Sequence, residues 1–338
     1  MSDLTTRYLG LTLKSPLVAS ASPLCDSIEG ICRLAEAGVS AVVLPSLFEE
    51  QLALESLALH ADLERGADTF AEAAGFFPDL HTYNLGPEGC LELIREAKRR
   101  VDIPIIASLN GVTIGGWLDY ATLMQEAGAD ALELNTYSIT VDPAQSAEEV
   151  ERGYVELVST LKQRLRIPVA VKLSPFFSAP ANVAHRLAAA GADALVLFNR
   201  FYQPDFDIEE REVVASLALS RPDELLMRLH WVAVIYGRVD ADLAITGGVH
   251  SATDVVKSMM AGARVACMTS ALLQNGPGYA KTVVADLDRW LDAHEYESVA
   301  EMCGSMSLRA VPNPSAYERG NYMKVLSSYT LRDDILVR

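Results

Sequence analysis

What this sequence of 338 residues lacks removes several classes of function. Its six histidines never fall at H-x-x-x-H or H-x-H spacing, so no metal centre is signalled. No G-x-G-x-x-G follows an apolar strand, which argues against a Rossmann dinucleotide site. Five cysteines, Cys25, Cys32, Cys90, Cys267 and Cys303, are scattered without a C-x-x-C pair. An odd, dispersed set of this kind reads as reduced thiols in the core rather than a disulfide framework. No apolar run approaches the ~20 residues that span a bilayer, and residues 1–10 lack the basic start and apolar core of a secretory signal. These absences lead us to expect a soluble, cytoplasmic protein with no membrane partner. Basic residues are also scarce: 28 Lys and Arg against 45 Asp and Glu leave a formal charge of −17. Such a surface repels a phosphate backbone, so nucleic acid is not an expected partner.

What the sequence does have is a repeat. Four times a helix-like segment runs into Ala-Gly and then into a short apolar stretch, at Ala37-Gly38, Ala127-Gly128, Ala190-Gly191 and Ala261-Gly262. Glycine in the left-handed region ends a helix, so each pair marks an αβ connection. Two more connections are marked by Ile103-Pro104 and Ile167-Pro168. Eight strands are expected, at 17–21, 41–44, 105–109, 131–134, 169–173, 194–197, 243–246 and 265–268. All are nearly wholly apolar, as strands covered on both faces must be. The reading is an α/β protein, a TIM (β/α)8 barrel, with 1–338 forming one domain. Residues 48–82 form an acidic, Ala-rich insertion after strand two, a candidate lid. Residues 298–338 form a C-terminal helical extension packed on the barrel or on a partner subunit.

In such barrels the residues that follow the strands build the active site, and here they are rich in polar groups. Gly247-Gly248 follows strand seven and Thr269-Ser270 follows strand eight. Paired glycines admit close approach to backbone N–H groups, and phosphate sites in barrels sit at this position. Lys172 interrupts the apolar run Val169-Ala-Val-Lys-Leu173. A charge in so apolar a strand requires a partner, and Glu133, on the same face of its strand as Asn135, is the candidate. Asn110, Asn135 and Asn199 end strands, and Asn84 lies in the Tyr83-Asn-Leu-Gly86 loop. Amides offer donor and acceptor together, which suits a heterocycle edge such as a flavin or a pyrimidine in a small-molecule site.

Taken together, these segments resemble the dihydroorotate dehydrogenases, specifically the soluble class. The resemblance runs from Ser15-Pro-Leu-Val-Ala-Ser-Ala-Ser22 to Thr269-Ser270, and is strongest at Val171-Lys-Leu-Ser-Pro-Phe-Phe177 and at Ile245-Thr-Gly-Gly-Val249. It implies an FMN cofactor. Ala19, Ser20 and Ala21 would lie against the flavin ring, and Ser108, Asn110, Asn135 and Lys172 would bind its polar edge or ribityl chain. Gly247, Gly248, Thr269 and Ser270 would hold its phosphate. Asn84, Asn135 and Asn199 match amides that contact the substrate ring, and Ser138 falls at the position of the catalytic base. The resemblance is also compatible with a homodimer and leaves the electron acceptor open.

Three departures from the family pattern concern the substrate. Strand two ends Leu44-Pro45-Ser46 where the family usually has a lysine. The catalytic loop is Asn135-Thr-Tyr-Ser-Ile-Thr140, without the usual proline and second amide, and strand six is followed by Asn199-Arg200. The expected function is hydride transfer from a dihydropyrimidine-type substrate to FMN, with Ser138 taking the proton and Lys172 stabilising charge on the reduced ring. The alternatives are a related flavoenzyme with another substrate, in which Arg200 clamps a carboxylate, and a non-catalytic FMN-binding paralogue.

Overall fold

A computed structural model describes residues 2–52, 86–115, 118–200, 203–319 and 321–328. Eight parallel strands close on themselves: β1 (Leu17–Ala19), β2 (Val42–Val43), β3 (Ile105–Asn110), β4 (Ala131–Asn135), β5 (Val169–Leu173), β6 (Ala194–Leu197), β7 (Asp242–Thr246) and β8 (Val265–Met268). β8 pairs with β1 through Cys267 and Val18, and β2 pairs with β3 through Val42 and Ile105, so no barrel edge is left open. The expected (β/α)8 barrel is therefore the observed one, with strand positions shifted by no more than two residues.

The helices of the outer ring are α1 (Ile28–Glu36), α2 (Pro87–Arg100), α3 (Leu118–Glu126), α4 (Ala147–Arg164), α5 (Pro180–Ala189), α6 (Leu225–Ile235) and α7 (Ala252–Ala261). Short α8 (Ser270–Asn275) and long α9 (Tyr279–Ala293) follow β8. The Ala-Gly punctuation works as the sequence predicts. Gly38, Gly128, Gly191 and Gly262 all have φ between 93° and 117°, a region that L side chains rarely enter. α7 starts on a capping box in which Ser251 and Asp254 satisfy each other's backbone N–H.

Strand side chains alternate between two cores. The outward set, including Leu17, Ile105, Leu132, Val171, Leu195 and Ile245, packs beneath the helices. The inward set is small toward the bottom, with Ala41, Ala131, Ala170, Ala194 and Ala244. Alanines leave room, and an antiparallel hairpin that the sequence reading missed, Thr6–Tyr8 with Leu11–Leu13, fills it from below. Tyr8, Leu9 and Leu13 are all buried there. Each such side chain contributes about 2 kcal/mol, so the plug supplies core that the strands do not.

Leu47–Phe48 adds a short strand beside β3, and most of the expected 48–82 insertion lies outside the described residues. After the last helix, the backbone of the extension returns to the barrel. Gly304 and Met306 donate N–H groups to the carbonyls of Met259 and Met260, and Leu308 to that of Ala233.

The five cysteines are free thiols. Burial pushes Cys25 and Cys267 up to about 12 and Cys90 up to about 11. Since the thiolate is the reactive form, native protein alkylated with iodoacetamide at about pH 8 should be modified first at the half-buried Cys32. Cys25, Cys90 and Cys267 should react only on denaturation. Mass spectrometry of the labelled peptides checks this, and labelling of native Cys267 at the rate of Cys32 would contradict it.

Candidate active site

The carboxyl ends of β1 and β5–β8 surround a cavity of about 550 Å³. One end is formed by the turn after β7. Gly247 and Gly248 both hold positive φ, 87° and 79°. A Cβ on Gly248 would sit 2.3 Å from the backbone N of Leu225, and one on Gly247 would sit 2.8 Å from the Arg228 guanidinium. Only glycine fits, for conformational and steric reasons together. Thr269 and Ser270 after β8 stand beside this turn and line the same cavity. Ser270 Oγ accepts from both the N–H and the hydroxyl of Ser220, at 2.9 and 2.8 Å. Ser220 Oγ in turn receives the Gly248 N–H at 3.4 Å and lies 3.3 Å from His250 Nε2. Turn, hydroxyls and imidazole thus converge on one small polar spot at the start of two helices, an arrangement suited to an anion.

Ser20 and Ala21, just beyond β1 and next to the end of β8, also line the cavity, as does Lys172 of β5. Lys172 Nζ is 3.3 Å from Glu133 Oε1, and the two side chains are 10% and 3% exposed. The pairing expected for a lysine in an apolar strand is therefore made. It holds the ammonium at the cavity floor, where the Lys172 and Asn135 backbones lie side by side in register. Asn199, another wall residue, donates from Nδ2 to Asn135 Oδ1 at 2.8 Å and accepts the Arg200 N–H on its own Oδ1. Asn110 lies across from Asn135 in the β3–β4 register. Ser108, one pleat deeper, is fully buried and bonds Ser46 at 2.7 Å. Ala19 is the buried last residue of β1.

Of the expected site residues, Ala19, Ser108, Asn110, Asn135 and Ser138 do not line this cavity, whereas Ser20, Ala21, Lys172, Asn199, Arg200, Gly247, Gly248, Thr269 and Ser270 do. Ser138 lies on the loop after β4, half-buried and outside the cavity wall. Its partner is the buried Tyr154 of α4, a phenol that burial pushes above its ordinary pKa while the Ser138 hydroxyl bond opposes the shift. Arg200 reaches the cavity, yet its fork is spent on Glu224, with Nε at 3.3 Å and Nη2 at 3.2 Å from the carboxylate. It also bonds the carbonyls of Ala218 and Leu219. It ties down the segment from 203 to 224 rather than presenting an open clamp. Asn84 lies outside the described residues.

Sequence reasoning passed over Ser220 and Arg228. Ser220 carried no signal, because its role comes from a loop folding back over the β7 turn. Arg228 did carry one. It is an arginine in the otherwise apolar run Leu-Leu-Met-Arg-Leu of α6, the same anomaly that singled out Lys172 in its strand.

Fold and site together define a (β/α)8 barrel with a polar anion cradle after strands seven and eight and a buried lysine at its floor. The family described as dihydroorotate dehydrogenase matches residues 74–291, more than half of the chain, and the chain belongs to that family. It is 28% identical over 308 residues to the catalytic subunit of dihydroorotate dehydrogenase B (NAD(+)) of Thermoplasma acidophilum, covering 90% of this chain and 99% of that one. The subunit of the same name from Desulforudis audaxviator is 28% identical over 302 residues, covering 88% and 95%. A putative dihydroorotate dehydrogenase A (fumarate) of Aeropyrum pernix is 28% identical over 247 residues, covering 69% and 77%.

The Lys172–Glu133 pair supplies a stability test. Removing one member of a buried ion pair strands the other, so Lys172→Met should lower the unfolding free energy by about 3 kcal/mol. Adding Glu133→Leu should restore most of that loss in denaturant titration. A double variant no more stable than the single one would show that the two charges do not answer each other.

Proposed function

We propose that the chain is an FMN-dependent oxidoreductase of dihydroorotate dehydrogenase type. The observation that carries this reading is one cavity bounded by the Gly247-Gly248 turn and Thr269-Ser270 at one end and by Lys172 at its floor. The donor set fits a phosphoflavin. The close backbone approach that the positive-φ glycines allow and the Ser270 hydroxyl suit the phosphate, Ser20 and Ala21 suit the flat ring, and the amides of Asn135 and Asn199 suit a heterocycle edge. When bound, FMN supplies the hydride acceptor.

The protein's own residues have distinct tasks. Lys172, fixed by Glu133, places a positive charge where anionic character develops. Asn199 and Asn135 orient the substrate as a bonded pair. Ser138 takes the substrate proton while its own hydroxyl proton passes to solvent, which the half-buried side chain reaches, and the neutral phenol of Tyr154 orients that hydroxyl without acting as a base. By family resemblance the proposal extends to a homodimer and a cytoplasmic location. Among the described residues no helix is long and apolar enough to cross a membrane.

A second reading is favoured at the substrate end only. Pro45 cannot supply the charge of a lysine, the loop 136–140 has neither proline nor a second amide, and Arg200 is held by Glu224. These features support a related flavoenzyme acting on another oxidisable C–H substrate.

Anaerobic FMN-loaded protein mixed with dihydroorotate should lose its oxidised-flavin absorbance. Ser138→Ala should slow that loss on the order of 100-fold, the usual worth of a positioned proton acceptor. Unchanged reduction by the variant would remove Ser138 from the reaction. Persistent colour with dihydroorotate, followed by bleaching with a different carbon acid, would select the second reading.

A further inference from the structure

Among the described residues, a buried charge without an ion-pair partner lies behind the cradle. Arg228 is only 3% exposed. Its guanidinium donates from Nε to the Thr246 carbonyl at 2.5 Å and from Nη1 to the Glu224 carbonyl at 2.6 Å. Both acceptors are backbone, and among the described residues Arg228 has no carboxylate within ion-pair distance. The nearest candidate, Glu224, has its carboxylate taken by the Arg200 fork and the Arg221 N–H. Burial pushes the Arg228 guanidinium below its ordinary pKa, Glu224 opposes that shift, and Arg200 adds to it. Arginine stays protonated in proteins regardless. A buried cation satisfied by dipoles alone is costly unless an opposite charge arrives.

Only one layer of backbone separates that cation from the cavity. The position of a Gly247 Cβ is 2.8 Å from Nη2 and 2.9 Å from Nε, while Gly247 and Gly248 form the cavity wall on their other side. In a water-poor interior a charge acts through such a layer far more strongly than it would in solvent. The need is also greater here than in a neutral protein, since a chain of formal charge −17 repels a dianion at long range.

We propose that Arg228 is the buried counter-charge for a phosphate group held over the Gly247-Gly248 turn, and that it makes this end of the cavity prefer phosphorylated ligands over their unphosphorylated forms. The inference rests on the reading above that the anion belongs to the flavin. Arg228 is a positioning residue: it touches the turn, not the ligand. It fixes the Thr246 carbonyl, and so the direction of the following N–H groups, and it adds a charge that no ligand-facing residue of the turn carries.

The test compares FMN, riboflavin and inorganic phosphate on the apoprotein, with binding read by flavin fluorescence quenching and by melting temperature. Wild-type protein should prefer FMN to riboflavin. Arg228→Met should cut FMN affinity about tenfold or more while changing riboflavin affinity by less than about threefold. Arg228→Lys keeps the charge and loses the fork, and should keep the preference; it also serves if the Met variant fails to fold. Equal loss of both flavins, or unchanged FMN binding by Arg228→Met, would overturn the proposal. So would loss of the preference in a folded Arg228→Lys protein that still binds riboflavin. If wild-type protein takes up neither flavin, the flavin reading fails by itself. The inference then stands if phosphate raises the melting temperature of wild-type but not of Arg228→Met protein, and falls if the two respond alike.

Discussion

A closed parallel barrel has one place where polar side chains can be both ordered and accessible, the carboxyl ends of its strands, and that constraint governs this molecule. Its interior accepts a charge only when the charge is answered. Lys172 sits inside because Glu133, on the neighbouring strand, is 3.3 Å away. Below that pair the interior narrows to alanines and the Tyr8, Leu9 and Leu13 plug. Above it the strand ends open into the cavity. The boundary between dry core and site is therefore set by a single ion pair. The pair must be rigid because neither partner has water to fall back on.

Much of this was legible from the sequence because the barrel writes its connections in a simple code. Ala-Gly before four of the eight strands is a helix C-cap, and all four glycines have the positive φ that the reading requires. Lys172 stood out because one charge in an apolar strand cannot be neutral to stability. Arg228 carried the same signal, but in a helix of about three turns, where one arginine passes as a surface residue. The periodicity of α6 is blurred by its high apolar content, so no face could be assigned to Arg228 without coordinates. The hairpin plug was missed for a different reason. Three-residue strands give too little alternation to register, and what fixes them is the space left by alanines on five other strands.

Arg200 shows where reasoning by position stops. From sequence it is a cation beside a strand-end asparagine and reads as a substrate clamp. Its acceptor, Glu224, is 24 residues further on, across the short antiparallel ribbon Asp205–Asp207 with Glu212–Val214. A bidentate pair closing a segment of that length fixes how the chain between β6 and α6 lies against the cavity. It carries Ser220 to the Gly248 N–H and Ser270. The side chain that reads from sequence as a clamp is, in the structure, paired with Glu224 and shapes the cavity wall.

This division explains why the two ends of the site depart unequally from the family pattern. The end at the β7 turn is built around backbone and glycines whose Cβ would strike Leu225 or Arg228. Changing it means rebuilding the turn. The positions that depart from the family pattern, Pro45, 136–140 and Arg200, lie on loops, where side chains can be exchanged without disturbing strand register or core packing. A chain can therefore keep the machinery of a flavin barrel while its specificity moves. The charge pattern agrees with that order of constraint: Lys172 is paired with Glu133 and Arg200 with Glu224, whereas Arg228, behind the least changeable turn, is buried against backbone carbonyls alone.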